Sequence, residues 1–377
     1  MQHDTRRAIT EASVWRLITR GTWYVLAAAA VVVILLQVRS VVVQAIIAMI
    51  ISAAVTPIVD AIILSRVVRD WRWKPGRAPF VLALYLVLGV IALVLAVVLA
   101  GTIQQQLAGM QDLLPQDAAE VEQVMATSLP SNVPPDVQAT LTELAGRVFG
   151  LVESFVSGLV GAIAAILGET LSLFFVLILA VYFAADGERI QRYLLDFVPA
   201  PQLPQAARVM DLSGRRLGAW VRGQVIVCTI VGALFAVGLA IIGVPFALLL
   251  GFVAFVGEFI PLVGPFISSI PAVAVAFLAG GVRLGVVTAI FCLVVEQLEG
   301  DLIVPRIMGS ATSIHPVAVL LAILAGAQLG GATGALLAVP VAGFIAVVVD
   351  EVRLTRGLAT PTEDGRIAEP THVARDP

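Results

Sequence analysis

Apolar residues fall in long blocks along this chain, divided by short polar stretches, rather than alternating or lining one helix face. Residues 23–37 are apolar but short for a crossing, whereas 41–64, 79–101 and about 158–184 are long enough to cross a bilayer as helices. Gln37-Val38-Arg39-Ser40 predicts a tight turn between the first two blocks, and 224–242 predicts a further span. Beyond it the blocks break up. Residues 244–260 and 266–279 flank Pro261-Leu262-Val263-Gly264-Pro265. Arms of about 17 and 14 residues rise only about 26 and 21 Å as helices, so a re-entrant hairpin fits better than two spans. Residues 284–304 predict a span, and 314–349 is again interrupted, by Gly326, Gly330, Gly331 and Gly334.

The two broken stretches resemble each other. One opens Val244-Pro245 and closes Ile270-Pro271; the other opens His315-Pro316 and closes Val339-Pro340, with proline spacings of 26 and 24. One span lies between them, so the first hairpin enters from outside and the second from the cytoplasm. That is the inverted repeat expected around a midplane transport site. The alternative is coincidence, since Gly and Pro are common in membrane helices. The candidate helix breaks are Pro271, Pro305, Pro316, Gly330, Gly331 and Pro340.

Composition agrees with a membrane chain. Of 377 residues 59% are hydrophobic and 13% charged, too much apolar surface for a water-soluble globule to hide. A soluble enzyme, a nucleic-acid binder and a disordered chain are poor readings. Net charge is −3, too weak to imply a partner by itself, and the apolar excess makes membrane lipid the expected surrounding. Cys228 and Cys292 sit in apolar runs without metal-ligand spacing, so packing is expected rather than a disulfide, a metal or a cofactor. No small-residue cleavage site follows Arg6, Arg7, Arg16 and Arg20, so a cleaved signal peptide is not expected.

The arginine distribution sets an orientation. A basic loop at 66–77 and an arginine-rich stretch at 186–222 lie inside by the positive-inside rule, and the acidic 102–150 region lies outside. The expected order is a cytoplasmic N-terminus (1–22), transmembrane helices (23–101), an extracytoplasmic helical domain (102–157), a transmembrane helix (158–184), a cytoplasmic loop (185–223), a C-terminal transport unit with broken helices (224–349), and a disordered cytoplasmic tail (350–377). Val137, Leu141, Leu144, Val148, Leu151 and Phe155 are spaced 4, 3, 4, 3, 4, a heptad seam running into the fourth span. It packs either on this chain's own 103–129 helices or between subunits of a homo-oligomer.

Ionisable residues at membrane depth are costly and usually line a pathway or pair with one another. Glu258 stands before the first break, with Pro261, Gly264 and Pro265 in it. Glu296 and Glu299 share a helix face, where like charges favour holding a proton. Gln297 and Asp301 share the next face, Pro305 ends the span, and Arg306 is placed to neutralise one carboxylate. The plainer reading is that 296–306 is a hydrated helix end. His315 is either a helix-start hydrogen-bonding residue or a proton carrier, and Glu169 is a weaker candidate. The Gly326/Gly330/Gly334 ladder reads as close helix packing. No G-x-x-x-x-G-K-[ST], H-E-x-x-H or G-x-S-x-G occurs, so neither an ATP-driven motor nor a hydrolase is expected.

Gly257-Glu258-Phe259-Ile260-Pro261-Leu262-Val263-Gly264-Pro265 with Ile270-Pro271-Ala272 resembles the signature of the autoinducer-2 exporter (AI-2E) family. So do Glu296-Gln297-Leu298-Glu299-Gly300 through Pro305, Met308-Gly309 with His315-Pro316, Tyr182-Phe183 with Asp186-Gly187-Glu188, and Gly223-Gln224. The match runs in order over about 160–350; Asp301 departs from it, since the family often has asparagine there. The apolar blocks predict an all-α polytopic membrane protein with about 6–8 crossing or re-entrant segments, and the resemblance implies a transporter of the bacterial inner membrane. The family takes its name from export of the quorum-sensing signal autoinducer-2, but some members are linked to sodium(lithium)/proton antiport, and the name does not settle this chain's substrate. Three functions follow: export of a small polar metabolite coupled to protons or sodium, cation/proton antiport, and a non-transporting scaffold joined through the heptad seam.

Overall fold

The computed structural model describes residues 39–64, 76–113, 134–144, 170–308 and 315–355, isolated positions between 123 and 158, and a short pairing near the C-terminus. The first apolar block, most of the basic loop, Glu169 and the seam residues Val148, Leu151 and Phe155 lie outside the described residues. The architecture is all-α: apart from Thr360–Pro361 paired with Ile367–Ala368, every described element is helical. The principal helices are α1 (Arg39–Leu64), α2 (Arg77–Leu113), α3 (Thr170–Leu195), α4 (Leu203–Ile242), α5 (Ala247–Gly257), α6 (Gly264–Leu298), α7 (Val304–Met308) and α8 (Pro316–Thr355). Among the described residues, five stretches are long and apolar enough to cross a membrane: Ser40–Leu64, Arg77–Val94, Ala200–Ile242, Gly264–Met308 and Pro316–Thr355. Outward leucines and valines such as Leu82, Leu86, Val90 and Leu293 remain exposed, as lipid-facing positions require.

Two of those stretches fold back on themselves. In α6 the backbone leaves the helix at Gly280 (φ −142°, ψ 17°) and Gly281 (φ 67°, ψ −163°). In α8 it does so with nearly the same angles at Gly330 (φ −139°, ψ 15°) and Gly331 (φ 60°, ψ −143°). The second glycine of each pair occupies a region that side chains strongly disfavour. Beyond each pair the arms touch. A Cβ built on Gly285 lies 3.3 Å from Phe277, and Gly326 and Gly334 each place backbone where the other's Cβ would stand. Residues eight apart in a straight helix are about 12 Å apart, so both are helical hairpins.

Several boundaries differ from those read in the sequence. Arg39 and Ser40 belong to α1 rather than to a turn, since nothing in Arg-Ser-Val stops a helix that continues apolar. The 185–223 stretch is largely helical: α3 runs on to Leu195 past an irregular Asp186, and α4 begins at Leu203. Its Ala, Leu and Arg residues favour helix, and Asp211 pairs with Arg215 one turn on. Gly264 and Pro265 open α6 instead of interrupting it, because proline fits a helix's first turn. Pro271 and Pro340 are buried inside helical arms and break nothing; the reversals come at the Gly-Gly pairs.

The main core lies among α4, α5, α6 and α8, with Phe235, Leu239, Leu250, Val253, Val275, Val295, Ile323 and Val339 buried together. Two smaller clusters join α1, α2 and α3 through Val55, Val59, Val81 and Ala184, and through Ala48, Val176 and Ala180. Helix α2 runs unbroken through the expected domain boundary at 101–102 and reaches the main core with Ile103 and Met110. There Gln106 Oε1 accepts a hydrogen bond from the Leu249 amide (2.8 Å), satisfying an orphan donor in the first turn of α5. Of the heptad seam, Leu141 packs on the main core while Val137 and Leu144 are exposed. Arg208 with Glu351 (3.7 Å) and Arg216 with Asp350 (3.5 Å) tie the start of α4 to the end of α8.

Candidate functional site

Helix α5 and the first arm of α6 are antiparallel neighbours joined by a tight turn over residues 258–263. The Ile260 amide donates to the Gly257 carbonyl (3.0 Å), the Gly264 amide donates to the Ile260 carbonyl (2.9 Å), and Leu262 adopts φ 67°. Pro261 cannot continue α5 as helix, which accounts for the turn. Gly264 meets Glu258 directly: a Cβ there would lie 2.7 Å from Glu258 Oε1 and 2.9 Å from its Cα.

Glu258 is buried, 1% exposed. Its electrostatic neighbour is the carboxyl of Glu299, which comes from the far end of the second α6 arm. Glu299 opens a π-helical turn, Glu299–Ile303, a widened geometry often found at functional sites. One turn earlier Glu296 Oε1 accepts from Ser269 Oγ (2.7 Å), linking the two arms of α6. Ser268 Oγ is spent on the Gly264 and Pro265 carbonyls (3.1 and 3.0 Å). The opposite wall is α4, where Gln224, 3% exposed, donates through Nε2 to the Glu258 main-chain carbonyl and to Cys228 Sγ (3.8 Å). Gln224 Oε1 and Glu258 Oε1 are buried without hydrogen-bond partners.

The fold therefore gathers Glu258, Gly264, Glu296 and Glu299, with Pro261 and Pro265 in the same turn, and leaves Gln297, Asp301 and His315 apart. Asp301 is exposed and accepts from Gln297 (2.8 Å) on the outer face. Arg306 is exposed. His315 Nδ1 accepts from the Val317 amide (3.3 Å), a capping contact at the start of α8. Pro316 is the first residue of α8, and Pro305 lies in α7 just beyond the π turn. Gln224 and Ser269 are the polar residues that sequence reading did not place at the site; a lone glutamine in an apolar span was the available signal for the first.

A profile of the AI-2E family transporter family matches residues 14–354. The chain belongs to this family. Among its AI-2E relatives is "Putative transport protein YueF" of Bacillus subtilis, 29% identical over a stretch covering 63% of this chain and 59% of the relative. "Putative transport protein MT0215" of Mycobacterium tuberculosis is 39% identical over 45% of this chain and 46% of itself. A Synechocystis relative, sll0060, carries the same description and is 27% identical over 76% of this chain and 83% of itself. The chain thus spans about half the length of the first two relatives it matches. Family and helices together make this a multi-pass membrane protein of a transporter family. The stretch matched by the AI-2E profile includes the carboxyl pair and both Gly-Gly reversals.

Proposed function

We propose that the chain is a secondary-active permease that exports a small polar metabolite of the autoinducer-2 type, driven by a proton or sodium gradient. The observation that carries this reading is the pairing of Glu258, which is buried, with Glu299, which is half-buried, the two carboxyls being delivered by separate helix breaks. Two neighbouring carboxylates repel one another and a single proton between them relieves this, so the pair has a bound and a released form. Membrane-depth acids of this kind are costly unless they serve a pathway. In this reading the protein lies in the bacterial inner membrane with both termini cytoplasmic, the first helices form a scaffold, and α4–α8 form the transport unit.

The second reading, sodium(lithium)/proton antiport, is favoured by the donor set, which is oxygen-rich as hard cations require. The test is flux into liposomes holding the purified protein, under imposed proton and sodium gradients, with autoinducer-2, sodium and lithium offered in turn. Gradient-driven autoinducer-2 movement supports the first reading, and sodium- or lithium-evoked proton flux supports the second. Folded protein that moves none of them overturns both.

A further inference from the structure

We infer that Gln224 is a positioning residue that, with Gly223, holds the two carboxyl-bearing segments in register against α4. Two adjacent residues of one helix reach the two halves of the site. Gln224 Nε2 donates to the main-chain carbonyl of Glu258, at the start of the turn. Gly223 faces α7, the short helix that continues the π turn of Glu299: a Cβ on Gly223 would lie 3.2 Å from Met308 Cγ and 3.6 Å from Ile307 Cγ2. The glycine lets α7 sit close, and the glutamine draws the turn to the same level of α4. The separation of Glu258 and Glu299 is then set by neither hairpin alone but by a third element.

The burial of Gln224 supports a specific role. Its amide is 3% exposed, and its Oε1 has no hydrogen-bond partner, a cost that a leucine or methionine of similar size would avoid. The N–H contact on the Glu258 carbonyl is the compensating feature, and it acts through the backbone. It therefore survives replacement of the Glu258 side chain. The acidic and thiol groups around the contact are Glu258, Glu296, Glu299 and Cys228. This inference rests on the reading of the carboxyl pair as the carrier only for its functional consequence, and the geometry can be tested separately.

The geometric test uses the full chain with Cys228→Ala, Cys292→Ala, Glu258→Cys and Glu299→Cys, in which mercuric ion bridges the two introduced thiols. One mercuric ion is offered per chain, and the rate is read as loss of both thiols, titrated with maleimide after unfolding, since a bridge consumes two thiols per ion and a single-thiol adduct one. With Gln224 present linkage is rapid; with Gln224→Met, which fills the same space without the N–H, it slows about tenfold because the thiols are no longer held in proximity. Gln224→Asn, which keeps the donor but not its reach, gives an intermediate rate and serves if the methionine variant fails size-exclusion chromatography. In the otherwise unaltered protein, Gln224→Met lowers maximal autoinducer-2 uptake or lithium-evoked proton flux about tenfold, while the half-saturating concentration moves far less. Unchanged linkage rates in both Gln224 variants overturn the inference. Slowed linkage with normal transport by Glu258→Gln and Glu299→Gln upholds the positioning role and overturns the carrier reading instead.

Discussion

Gly326 and Gly334 stand face to face across the reversal at Gly330–Gly331, each occupying the place of the other's missing side chain. A methyl group on either collides with backbone rather than with a side chain that can turn away. Gly334→Ala should therefore push the arms of α8 apart and cost about 1–3 kcal/mol, as overpacking does. Gly330→Ala should be nearly neutral, because open space surrounds it and its φ is −139°. Gly331→Ala meets no clash but must hold φ 60°, at a cost of about 1–3 kcal/mol. Thermal unfolding in detergent, followed by size-exclusion chromatography, ranks the three; equal melting of Gly330→Ala and Gly334→Ala would contradict the hairpin contact.

Gly264→Leu should abolish transport while leaving expression largely intact. The added side chain must displace Glu258, whose Cα lies 2.9 Å from the would-be Cβ, so the turn bearing the carboxyl moves first. Even Gly264→Ala should lower flux markedly. Normal flux in Gly264→Leu, with a monodisperse elution profile, would remove the turn from the pathway.

Glu299→Gln should lose gradient-driven transport and keep solute exchange, because an amide retains shape and hydrogen bonding but cannot carry a proton. Read from sequence, Glu258 belongs to an opposite break and should affect binding more than coupling. Their contact in the fold merges the two roles, so Glu258→Gln should also uncouple. Asp301→Asn should be close to wild type, since Asp301 is exposed and bonded to Gln297 on another face. Flux measured across a range of pH in all three variants decides: unchanged gradient-driven uptake in Glu299→Gln would leave 296–306 as a hydrated helix end.

Single cysteines at positions 120, 200 and 365 test the orientation. An impermeant thiol reagent applied to intact cells should label only position 120. Labelling at 200 would invert the arrangement.

The apolar blocks made the helical membrane fold legible, and the short arms made at least one hairpin legible. The glycines at 330–331 were visible as an interruption, but the matching pair at 280–281 was seen only as the end of one block and the start of another. Periodicity marks where apolar residues stop; it does not say whether the next helix continues or returns. Glu258, Glu296 and Glu299 stood out because charge is rare in such surroundings. That Glu258 meets Glu299, while Asp301 turns away, depends on a π turn and a six-residue loop that no local pattern encodes. The arginine-rich 185–223 stretch misled in structure for a simple reason: charge marks contact with water, and helices can be wet.

The capping contact of Gln106 on α5 has a mechanical consequence. Helix α2 is a single rod of 37 residues, about 55 Å if straight, from Arg77 to the polar region beyond the main core. Near one end it grips the amide of Leu249, in the first turn of the arm that leads down to Glu258. A tilt of this rod is felt there as leverage: small angular motion far from the carboxyl pair becomes displacement at the mouth of its hairpin. Because Ile103 and Met110 flank Gln106 and sit in the main core, a displacement of this end of the rod reaches α5 through the amide contact and through the packed side chains together.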